Sequence, residues 1–409
     1  MPGKNKVLNR YLESILQKQI KKNQSFFIFG PRQVGKTFLV KKILKKLKNT
    51  VEYPLQNPAV RLSFESDPGR LIREIEVLEK LPYVFIDEGQ KIPLLFDAVQ
   101  YLIDEKKASF IITGSSARKL RRKEVNLLPG RVKRFFLDPL LWGELGWLKK
   151  SSIKPLALKN INKRINYTFE EQLIFGSLPL VVLTKKEERE SILTSYTQIY
   201  LEEEIRAEAL SRKIGSFLRF LELSALESGT SPNLTKLSVE SGVSLPAVKE
   251  FYQLLVDTLI VHRVDPYLKN ARKRLFTSPR YYFFDLGVRN ALSYLTLNQG
   301  LIRAQKGVLF EHAVILEIIR RIRSLNKNYR LYYWRTASGA EVDCVVDTGK
   351  TLIPIEIKSS SYVALSEIKG LKIFLEDYKD KTSFGYVITQ GKKPEKLTKN
   401  ILALPWDYL

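Results

Sequence analysis

The stretch SFFIFGPRQVGKT, residues 25–37, decides the fold of the N-terminal part of the chain. Its second half matches the pattern G-x-x-x-x-G-K-[ST], with an apolar strand before it and an amphipathic helix after it. This context predicts a phosphate-binding loop; the alternative is a glycine-rich turn that only resembles one. The predicted nucleotide-binding residues are the eight of this loop: Gly30, Pro31, Arg32, Gln33, Val34, Gly35, Lys36 and Thr37.

The residue types in this loop have physical reasons to bind a nucleotide. Gly30 and Gly35 lack a Cβ atom, so backbone amides can wrap around phosphate oxygens. The N-terminus of the following helix adds free N–H groups and a favourable dipole. Lys36 can reach the β- and γ-phosphates, and Thr37 can hold Mg²⁺. ATP and Mg²⁺ are therefore the predicted cofactors.

Two later apolar strands end in residues that suit the same site. YVFIDE ends in Asp87, which can coordinate Mg²⁺ through water, and Glu88, which can polarise an attacking water. Such an acidic pair also occurs as a simple helix N-cap. FIITGSS ends in hydroxyl groups, and Ser115 or Thr113 is the candidate sensor of the γ-phosphate. A plain turn is the alternative there.

The order of predicted elements indicates an α/β fold with several parts. Strand-like and helix-like blocks alternate up to residue 147, and strands that are apolar on both faces favour a parallel sheet. The polar and basic segment 148–164 is predicted to be a linker. Residues 165–300 are mostly helical, and residues 301–409 are expected to form a small α/β domain.

Four motifs in this order, FIFGPRQVGKT, FIDEGQKIP, IITGSS and LPGRVKRFFLDPLLWGEL, resemble those of AAA-type ATPases of bacteria and archaea. The resemblance covers most of the chain and points to the branch with a winged-helix and nuclease-like C-terminal half. It implies that Asp87 and Glu88 are Walker B residues and that Ser115 is a sensor. It also implies a homo-oligomer, with a hexameric ring as one form, in which an arginine completes a neighbour's site.

Arg131, in the sequence PGRV, is the candidate for that arginine. The alternative is that Arg131 binds phosphate or backbone as part of a basic strip, residues 117–134. The strip holds eight basic residues and one acid. It would suit the backbone of a nucleic acid equally well.

The amino-acid composition indicates what kind of protein this is and what kind of partner it has. The chain has 409 residues with 68 Lys and Arg against 43 Asp and Glu, a formal net charge of +25. That excess favours a polyanionic partner, most often nucleic acid, although a solubility charge is the alternative. The single cysteine, Cys344, excludes an internal disulfide. With no signal-peptide core or membrane-length apolar run, we expect a soluble cytoplasmic protein without a membrane partner.

Residues 233–264 predict a helix, a turn at Gly242, a second helix and a strand, which together suggest a winged helix. Winged helices bind DNA or other proteins. The second helix carries acids as well as Lys249, so it is a poor reader of the major groove. The basic and aromatic segment 267–283, which includes Arg280, suits nucleic-acid backbone and bases better. A solvated wing over an aromatic core is the alternative.

The sequence AEVDCVVDTGKTLIPIEIK, residues 340–358, predicts a hairpin. Alternation places Asp343, Val345 and Asp347 on one face and Val342, Cys344 and Val346 on the other. A two-residue turn would set position 343 opposite 354 and make Glu356 a diagonal, same-face neighbour of Asp343. Lys358 would lie beside both carboxylates. An odd number of residues in the connecting loop would place the carboxylates of Asp343 and Glu356 on opposite faces of the hairpin.

Glu311 lies on an otherwise apolar helical stripe, either as a partner of this cluster or as an acid favoured by the helix dipole. Glu311, Asp343, Glu356 and Lys358, in this order, resemble the PD-(D/E)XK nuclease fold. The resemblance implies a restriction-endonuclease-like C-terminal domain in which the carboxylates bind Mg²⁺ or Mn²⁺ and Lys358 activates water. Val342 stands where that group has a proline. Cleavage and binding without cleavage both remain open.

Two functions follow from these patterns. The first is an oligomeric AAA-type ATPase that hydrolyses Mg-ATP and engages nucleic acid, DNA ahead of RNA, including forked or branched forms. The second is an ATP-dependent switch or interaction protein whose nuclease-like domain is an inactive scaffold. A P-loop kinase is disfavoured because the acid after Asp87 suits water activation.

Overall fold

The computed structural model describes residues 7–115, 130–150, 153–201, 214–268 and 278–409. They fall into two compact units. The N-terminal unit contains Asn9–Asp138 and Gln253–Ile260, and the C-terminal unit contains Pro139–Tyr252 and Val261–Leu409.

The N-terminal unit is built on a five-stranded parallel sheet of order β2-β3-β4-β1-β5. Its strands are β1 Phe26–Phe29, β2 Thr50–Pro54, β3 Tyr83–Asp87, β4 Ser109–Gly114 and β5 Lys133–Phe136. Its helices are α1 Tyr11–Ile20, α2 Lys36–Leu44, α3 Pro58–Ser66, α4 Arg70–Glu76 and α5 Leu95–Asp104, with a 3-10 turn at Gly89–Lys91. The predicted α/β fold with a parallel sheet is confirmed.

The central strands of this sheet are buried on both faces. Every residue of β1, β3 and β4 is buried, which explains their continuous apolar runs. Phe27 and Phe96 stack in the core on one face, with ring centroids 5.9 Å apart. Because the strands are parallel, their carboxyl ends meet at one edge, where a ligand site is expected.

The C-terminal unit contains an eight-stranded mixed sheet of order β12-β13-β11-β10-β9-β8-β6-β7. Its strands are β6 Val261–Pro266, β7 Arg280–Phe283, β8 Arg330–Arg335, β9 Glu341–Asp347, β10 Leu352–Ile357, β11 Gly385–Thr389, β12 Glu395–Thr398 and β13 Ile401–Pro405. The helices after α5 are α6 Phe169–Phe175, α7 Pro179–Leu183, α8 Arg189–Ser195, α9 Ile214–Leu226, α10 Leu234–Ser241, α11 Leu245–Asp257, α12 Leu286–Leu292, α13 Gln299–Ser324 and α14 Lys369–Asp377. Short 3-10 turns lie at Lys154–Leu156, Lys186–Glu188 and Trp406–Tyr408, and a π-helical segment spans Tyr196–Leu201.

The middle region shares this sheet with the last part of the chain. Strand β6 pairs in parallel with β8, joining Asp265 to Tyr332, and antiparallel with β7. The compact unit therefore continues across the boundary predicted near residue 300. The segment 148–164, predicted as a linker, also contributes to this unit, because Ile153 and Leu156 are fully buried.

Residues 233–264 show the predicted order of elements. Asn233 caps α10 by accepting from the Lys236 backbone N–H at 3.0 Å, and Gly242 ends it in the left-handed conformation. Helix α11 and strand β6 follow. The winged-helix assignment itself remains a proposal. Across the described ranges, no helix combines the length and the apolar character needed to cross a membrane.

Candidate functional site

The loop between β1 and α2 has the backbone conformation that its glycines predict. Gly35 has φ of 94° and precedes the first residue of α2, and Gln33 has φ of 62°. A Cβ atom at Gly30 would lie 2.1 Å from the carbonyl oxygen of Leu137. Glycine is therefore required at position 30 by close packing and at position 35 by backbone conformation.

Arg10 fixes this loop from the N-terminal side. Its guanidinium donates to the carbonyl oxygens of Val34 at 2.9 Å and Asp138 at 2.6 Å, and the residue is buried. The sequence analysis missed Arg10, because a lone arginine before a helix carries no recognisable signal. Its role is to hold the loop against the segment that follows β5.

Lys36 points back into the loop. Its ammonium donates to the carbonyl oxygens of Gly30 at 2.8 Å and Pro31 at 2.9 Å, and the side chain is only 5% exposed. The loop therefore surrounds a buried positive charge beside the free N–H groups at the start of α2. This is the arrangement that binds a polyphosphate.

Thr37 and Asp87 meet at the carboxyl edge of the sheet. The Thr37 hydroxyl lies 2.9 Å from Asp87 Oδ1, and the Thr113 hydroxyl donates to the same oxygen at 2.6 Å. A hydroxyl and a carboxylate side by side are the hard oxygen donors that Mg²⁺ prefers. These residues therefore fit the Mg²⁺ ion that would accompany ATP. That Thr37 and Asp87 bind the same ion stays a prediction, and this geometry supports it.

Glu88 follows Asp87 in a left-handed backbone conformation, with φ of 60°. That conformation is uncommon outside glycine, and such strain is typical of functional sites. The carboxylate lies 3.9 Å from the Lys36 ammonium, and the Ser115 hydroxyl donates to it at 3.2 Å. Of the two candidate sensors, Thr113 contacts the Asp87 carboxylate and the Glu88 backbone N–H, and Ser115 contacts the Glu88 carboxylate.

Gln90 is a further residue of this site that the sequence analysis did not find. Its side-chain amide donates to the Glu88 carboxylate and, at 3.0 Å, to the Ser115 hydroxyl. Its amide oxygen is buried and has no hydrogen-bond partner. A Cβ atom at Gly114 would lie 2.8 Å from that oxygen. Gln90 therefore positions Glu88. Its place two residues after Glu88 in the sequence was the only local hint of this contact.

Arg131 lies at the opposite edge of the sheet, just before β5 begins. Its guanidinium forms two hydrogen bonds with Asp104, at 2.5 Å and 2.9 Å, and both side chains are partly exposed. Because β1 and β5 are parallel, Arg131 is remote from the loop of its own chain. Most of the basic strip 117–134 lies outside the described residues.

The hairpin in the C-terminal unit has a different register from the predicted one. Leu352 pairs with Asp347 and Ile355 with Cys344, so four residues, not two, connect the strands. Pro354 pairs with Val345, so the prediction of position 354 as the partner of Asp343 was wrong by two residues. Asp343 and Glu356 lie just beyond the last pair of this ladder, and their carboxyl groups interact electrostatically.

A β-bulge interrupts the alternation predicted for β9. Tyr332 pairs with Val345 and Trp334 with Val342, which leaves two residues, Asp343 and Cys344, opposite one. Val342 and Val345 consequently belong to the same hydrophobic cluster. The prediction that Val342 and Val345 occupy opposite faces was wrong, because the extra residue reverses the alternation.

Glu356 and Asp343 are each held by one hydrogen bond. The Lys358 ammonium lies 2.9 Å from Glu356 Oε1, whereas Glu356 Oε2 is buried without a partner. Asp343 accepts from the backbone N–H of Ile357 at 2.7 Å. Burial, together with the nearby Asp343 charge, raises the pKa of Glu356 to about 8. Burial also raises the pKa of Asp343.

Glu311, on α13, faces a cation as well as this cluster. The Arg280 guanidinium lies 3.8 Å from its carboxylate, and the Tyr282 hydroxyl donates to it at 3.2 Å. Arg280 also forms a close ion pair with Glu341. Burial and the Asp343 charge raise the pKa of Glu311 to about 7. The structure thus adds Arg280, Tyr282 and Glu341 to the predicted cluster.

Arg280 is therefore not the exposed backbone-binding residue that the segment 267–283 predicted. It is 9% exposed, and its guanidinium lies over the Tyr333 ring, 4.6 Å from the centroid. The other basic residues of that segment, Lys269, Arg272, Lys273 and Arg274, lie outside the described residues.

The carboxylates of this cluster differ in how well each is placed to bind a divalent cation. The unpartnered oxygen of Glu356, whose carboxyl group interacts with that of Asp343, suits a cation. Glu311 does not fit as placed, because Arg280 and Tyr282 bind it. Among the described residues, no group of three or more His, Cys, Asp or Glu side chains is arranged to hold a metal ion. The predicted three-carboxylate site is not assembled.

Comparison with family models divides the chain into three matches. A model described as an AAA domain matches residues 22–146. Two domains of unknown function, DUF8612 and DUF4143, match residues 166–299 and 306–409. With the sheet and the loop described above, the N-terminal match identifies an AAA-type P-loop domain.

Two uncharacterised proteins, from Mycobacterium bovis and Mycobacterium tuberculosis, are each 25% identical to this chain over 384 residues. The alignments cover 93% of this chain and 79% of each relative. A Walker-type ATPase of Pyrococcus abyssi is 13% identical, with a TM-score of 0.47 over 70% of this chain and 96% of that one. AMPPCP-bound DnaA from Aquifex aeolicus is 14% identical, with a TM-score of 0.28 over 59% of this chain and 86% of that one.

Proposed function

We propose that this protein binds and hydrolyses Mg-ATP and uses the cycle to act on nucleic acid. One observation carries the catalytic part of the proposal. Lys36, Thr37, Asp87 and Glu88 meet at one edge of a parallel sheet, within hydrogen-bond or ion-pair distance of one another. This arrangement supports the roles that we propose for them in phosphoryl transfer to water.

Hydrolysis follows from the chemistry of these side chains. Lys36 and the N–H groups at the start of α2 bind the β- and γ-phosphate oxygens and stabilise the charge that develops on them. Mg²⁺, when bound by Thr37 and Asp87, neutralises the same oxygens. Glu88 orients a water molecule and accepts its proton as that water attacks the γ-phosphorus. The bond to the β-phosphate oxygen breaks, and ADP and inorganic phosphate are the products.

Assembly into a homo-oligomer is part of the proposal. Arg131 is too far along the sheet to reach the loop of its own chain, but its edge position suits insertion into a neighbour's site. Its ion pair with Asp104 is partly exposed and would have to open. Such exposed pairs contribute only about 0–1 kcal/mol, so a phosphate can compete for the guanidinium.

The nucleic-acid part of the proposal rests on charge. A net charge of +25 on 409 residues attracts a polyanion over distances longer than a single contact. Labelled forked duplex DNA, titrated at about 50 and 200 mM salt, tests it. Binding that weakens by about tenfold or more between these concentrations is expected. Absence of binding at the lower concentration would contradict a nucleic-acid partner and favour the switch described below.

ATP turnover by Lys36→Ala tests the catalytic part. We expect at least a hundredfold loss, about 3 kcal/mol, because the buried ammonium binds the transferred phosphoryl group. Lys41→Ala is the matched control, since Lys41 lies on the same helix but is half exposed and pairs with Glu52. Near-normal turnover in Lys36→Ala would reject the site.

A second candidate function is an ATP-dependent switch with an inactive nuclease-like domain. It is favoured by the ion pairs of Glu311 with Arg280 and of Glu356 with Lys358, which engage two of the three predicted metal ligands. Metal-dependent cleavage of forked DNA that disappears in Asp343→Ala would reject this candidate. DNA binding without cleavage would leave the domain as a binding module.

A further inference from the structure

Arg280 connects two parts of the C-terminal unit that are distant in sequence. It begins strand β7, the outermost strand of the sheet, and its side chain reaches acids on α13 and β9. Tyr282 on the same strand binds Glu311 as well. One strand thus supplies both groups that hold this carboxylate.

The position of Arg280 is fixed by more than charge. The residue is 9% exposed and its guanidinium lies over the Tyr333 ring. A stacked guanidinium with two carboxylate partners satisfies several of its donors at once. Its positive charge therefore stays within the carboxylate cluster and does not move freely in solvent.

We infer that Arg280 is the resident cation of the C-terminal carboxylate cluster and that β7 thereby withholds Glu311 from a divalent metal ion. The inference concerns this cluster alone and does not depend on ATP hydrolysis. A second observation supports it. Glu356 Oε2 is buried without a hydrogen-bond partner, so the cluster keeps an uncompensated acceptor even with Arg280 in place.

Two effects make Arg280 an obstacle to a metal ion. It binds Glu311, the acid that would complete a three-carboxylate site. Its positive charge also disfavours a divalent cation at Asp343, because Arg280 and Asp343 interact electrostatically. Removing the guanidinium should therefore free a ligand and remove the repulsion together.

Calorimetric titration of Mn²⁺ into nucleotide-free wild type and Arg280→Met tests the inference. We expect the variant to bind Mn²⁺ at least tenfold more tightly at one additional site. Weak binding at the Walker residues is common to both proteins and cancels in the comparison. Equal or weaker binding by a folded Arg280→Met chain would overturn the inference.

Three further variants separate this mechanism from a structural effect. Arg335→Met is the matched control, because Arg335 lies 3.7 Å from Glu341 on the exposed side and should leave Mn²⁺ affinity unchanged. Adding Glu311→Gln to Arg280→Met should abolish the gain. A gain that persists in this double variant would show that Glu311 is not the withheld ligand, and would overturn the inference.

Glu341→Gln keeps the inference falsifiable if Arg280→Met does not fold, as judged by its melting temperature in EDTA. It preserves Arg280 but removes the closer of its two carboxylate partners. We expect about threefold tighter Mn²⁺ binding from a loosened guanidinium. Unchanged or weaker binding would contradict Arg280 as the competing cation. ATP turnover should stay normal in every one of these variants, which separates this test from that of the proposed function.

Discussion

Within the described residues, the candidate site of each compact unit places carboxylates near a lysine. Asp87 and Glu88 end a buried strand near Lys36 in the N-terminal unit, and Glu356 contacts Lys358 in the C-terminal unit. Both clusters combine residue types that hold divalent cations. They differ in the groups that satisfy the carboxylates.

Neutral hydroxyl groups bind Asp87, whereas a cationic guanidinium lies against Glu311. A hydroxyl can ligate Mg²⁺ together with the carboxylate, so the first cluster is prepared for a cation. A guanidinium binds the carboxylate and repels a metal ion, so negative charge in the second cluster is already compensated. The same acidic residue types therefore predict different chemistry, and the residues around them decide which.

The largest effect on turnover is expected from Glu88→Gln. The amide keeps the shape of the side chain but cannot accept the proton of the attacking water, so turnover should fall at least about a hundredfold. ATP binding should remain, because Lys36 and the loop are untouched. Turnover and equilibrium binding of a labelled ATP analogue measure the two effects. Glu356→Gln is the matched control in the other cluster and should leave turnover unchanged.

Arg131→Ala should reduce turnover by at least about tenfold if an arginine completes each site from a neighbouring chain. Mixing it with Lys36→Ala sharpens the test, because the first variant supplies an intact loop and the second an intact arginine. Recovery of activity on mixing is expected. No recovery, together with a concentration-independent turnover in wild type, would exclude a role in trans.

Gln90→Ala should have a smaller effect, about three- to tenfold on kcat, with KM for ATP little changed. The side chain positions Glu88 and Ser115 through its amide, and neither contact is with the loop of residues 30–37. Gln90→Glu should be worse, since a second negative charge would face Glu88. A larger change in KM than in kcat would show that Gln90 acts in binding.

The smallest expected effect is on the free energy of unfolding and comes from Glu356 in the C-terminal cluster. Glu356 has a pKa of about 8 in the folded protein, above its unfolded value near 4.5. The folded state therefore holds this proton more tightly, and the associated stability is present at low pH and lost as pH rises from about 4.5 to 8. Glu356→Gln has no such proton to lose, so it should gain stability relative to wild type as the pH rises through that range. Urea unfolding at pH 5 and 8 measures it, and a constant difference would contradict the assignment.

The sequence predicts the first cluster well because its signals are local. The loop, the Walker acids and the buried strands β1, β3 and β4 each carry their own pattern within a few residues. Strands β2 and β5 were not predicted, since TVEYP and KRFF are partly exposed and carry charged residues. An edge strand has a neighbouring strand on one side only and is partly exposed to solvent, so its apolar pattern is weaker.

The second cluster was predicted in its residues but not in its geometry. The four-residue turn and the bulge at Asp343 depend on pairing with β10 and β8, which no periodicity within β9 reveals. Arg280 reaches Glu311 because β6 joins β8 across a long stretch of chain. Such contacts between distant segments come from tertiary structure and leave no local signal.

Stoichiometric binding of Mn²⁺ in the presence of a saturating non-hydrolysable ATP analogue tests the difference between the clusters most directly. The account predicts one tightly bound ion per wild-type chain, and its loss in Asp87→Asn. Two tight ions per chain, or one that survives Asp87→Asn, would contradict it.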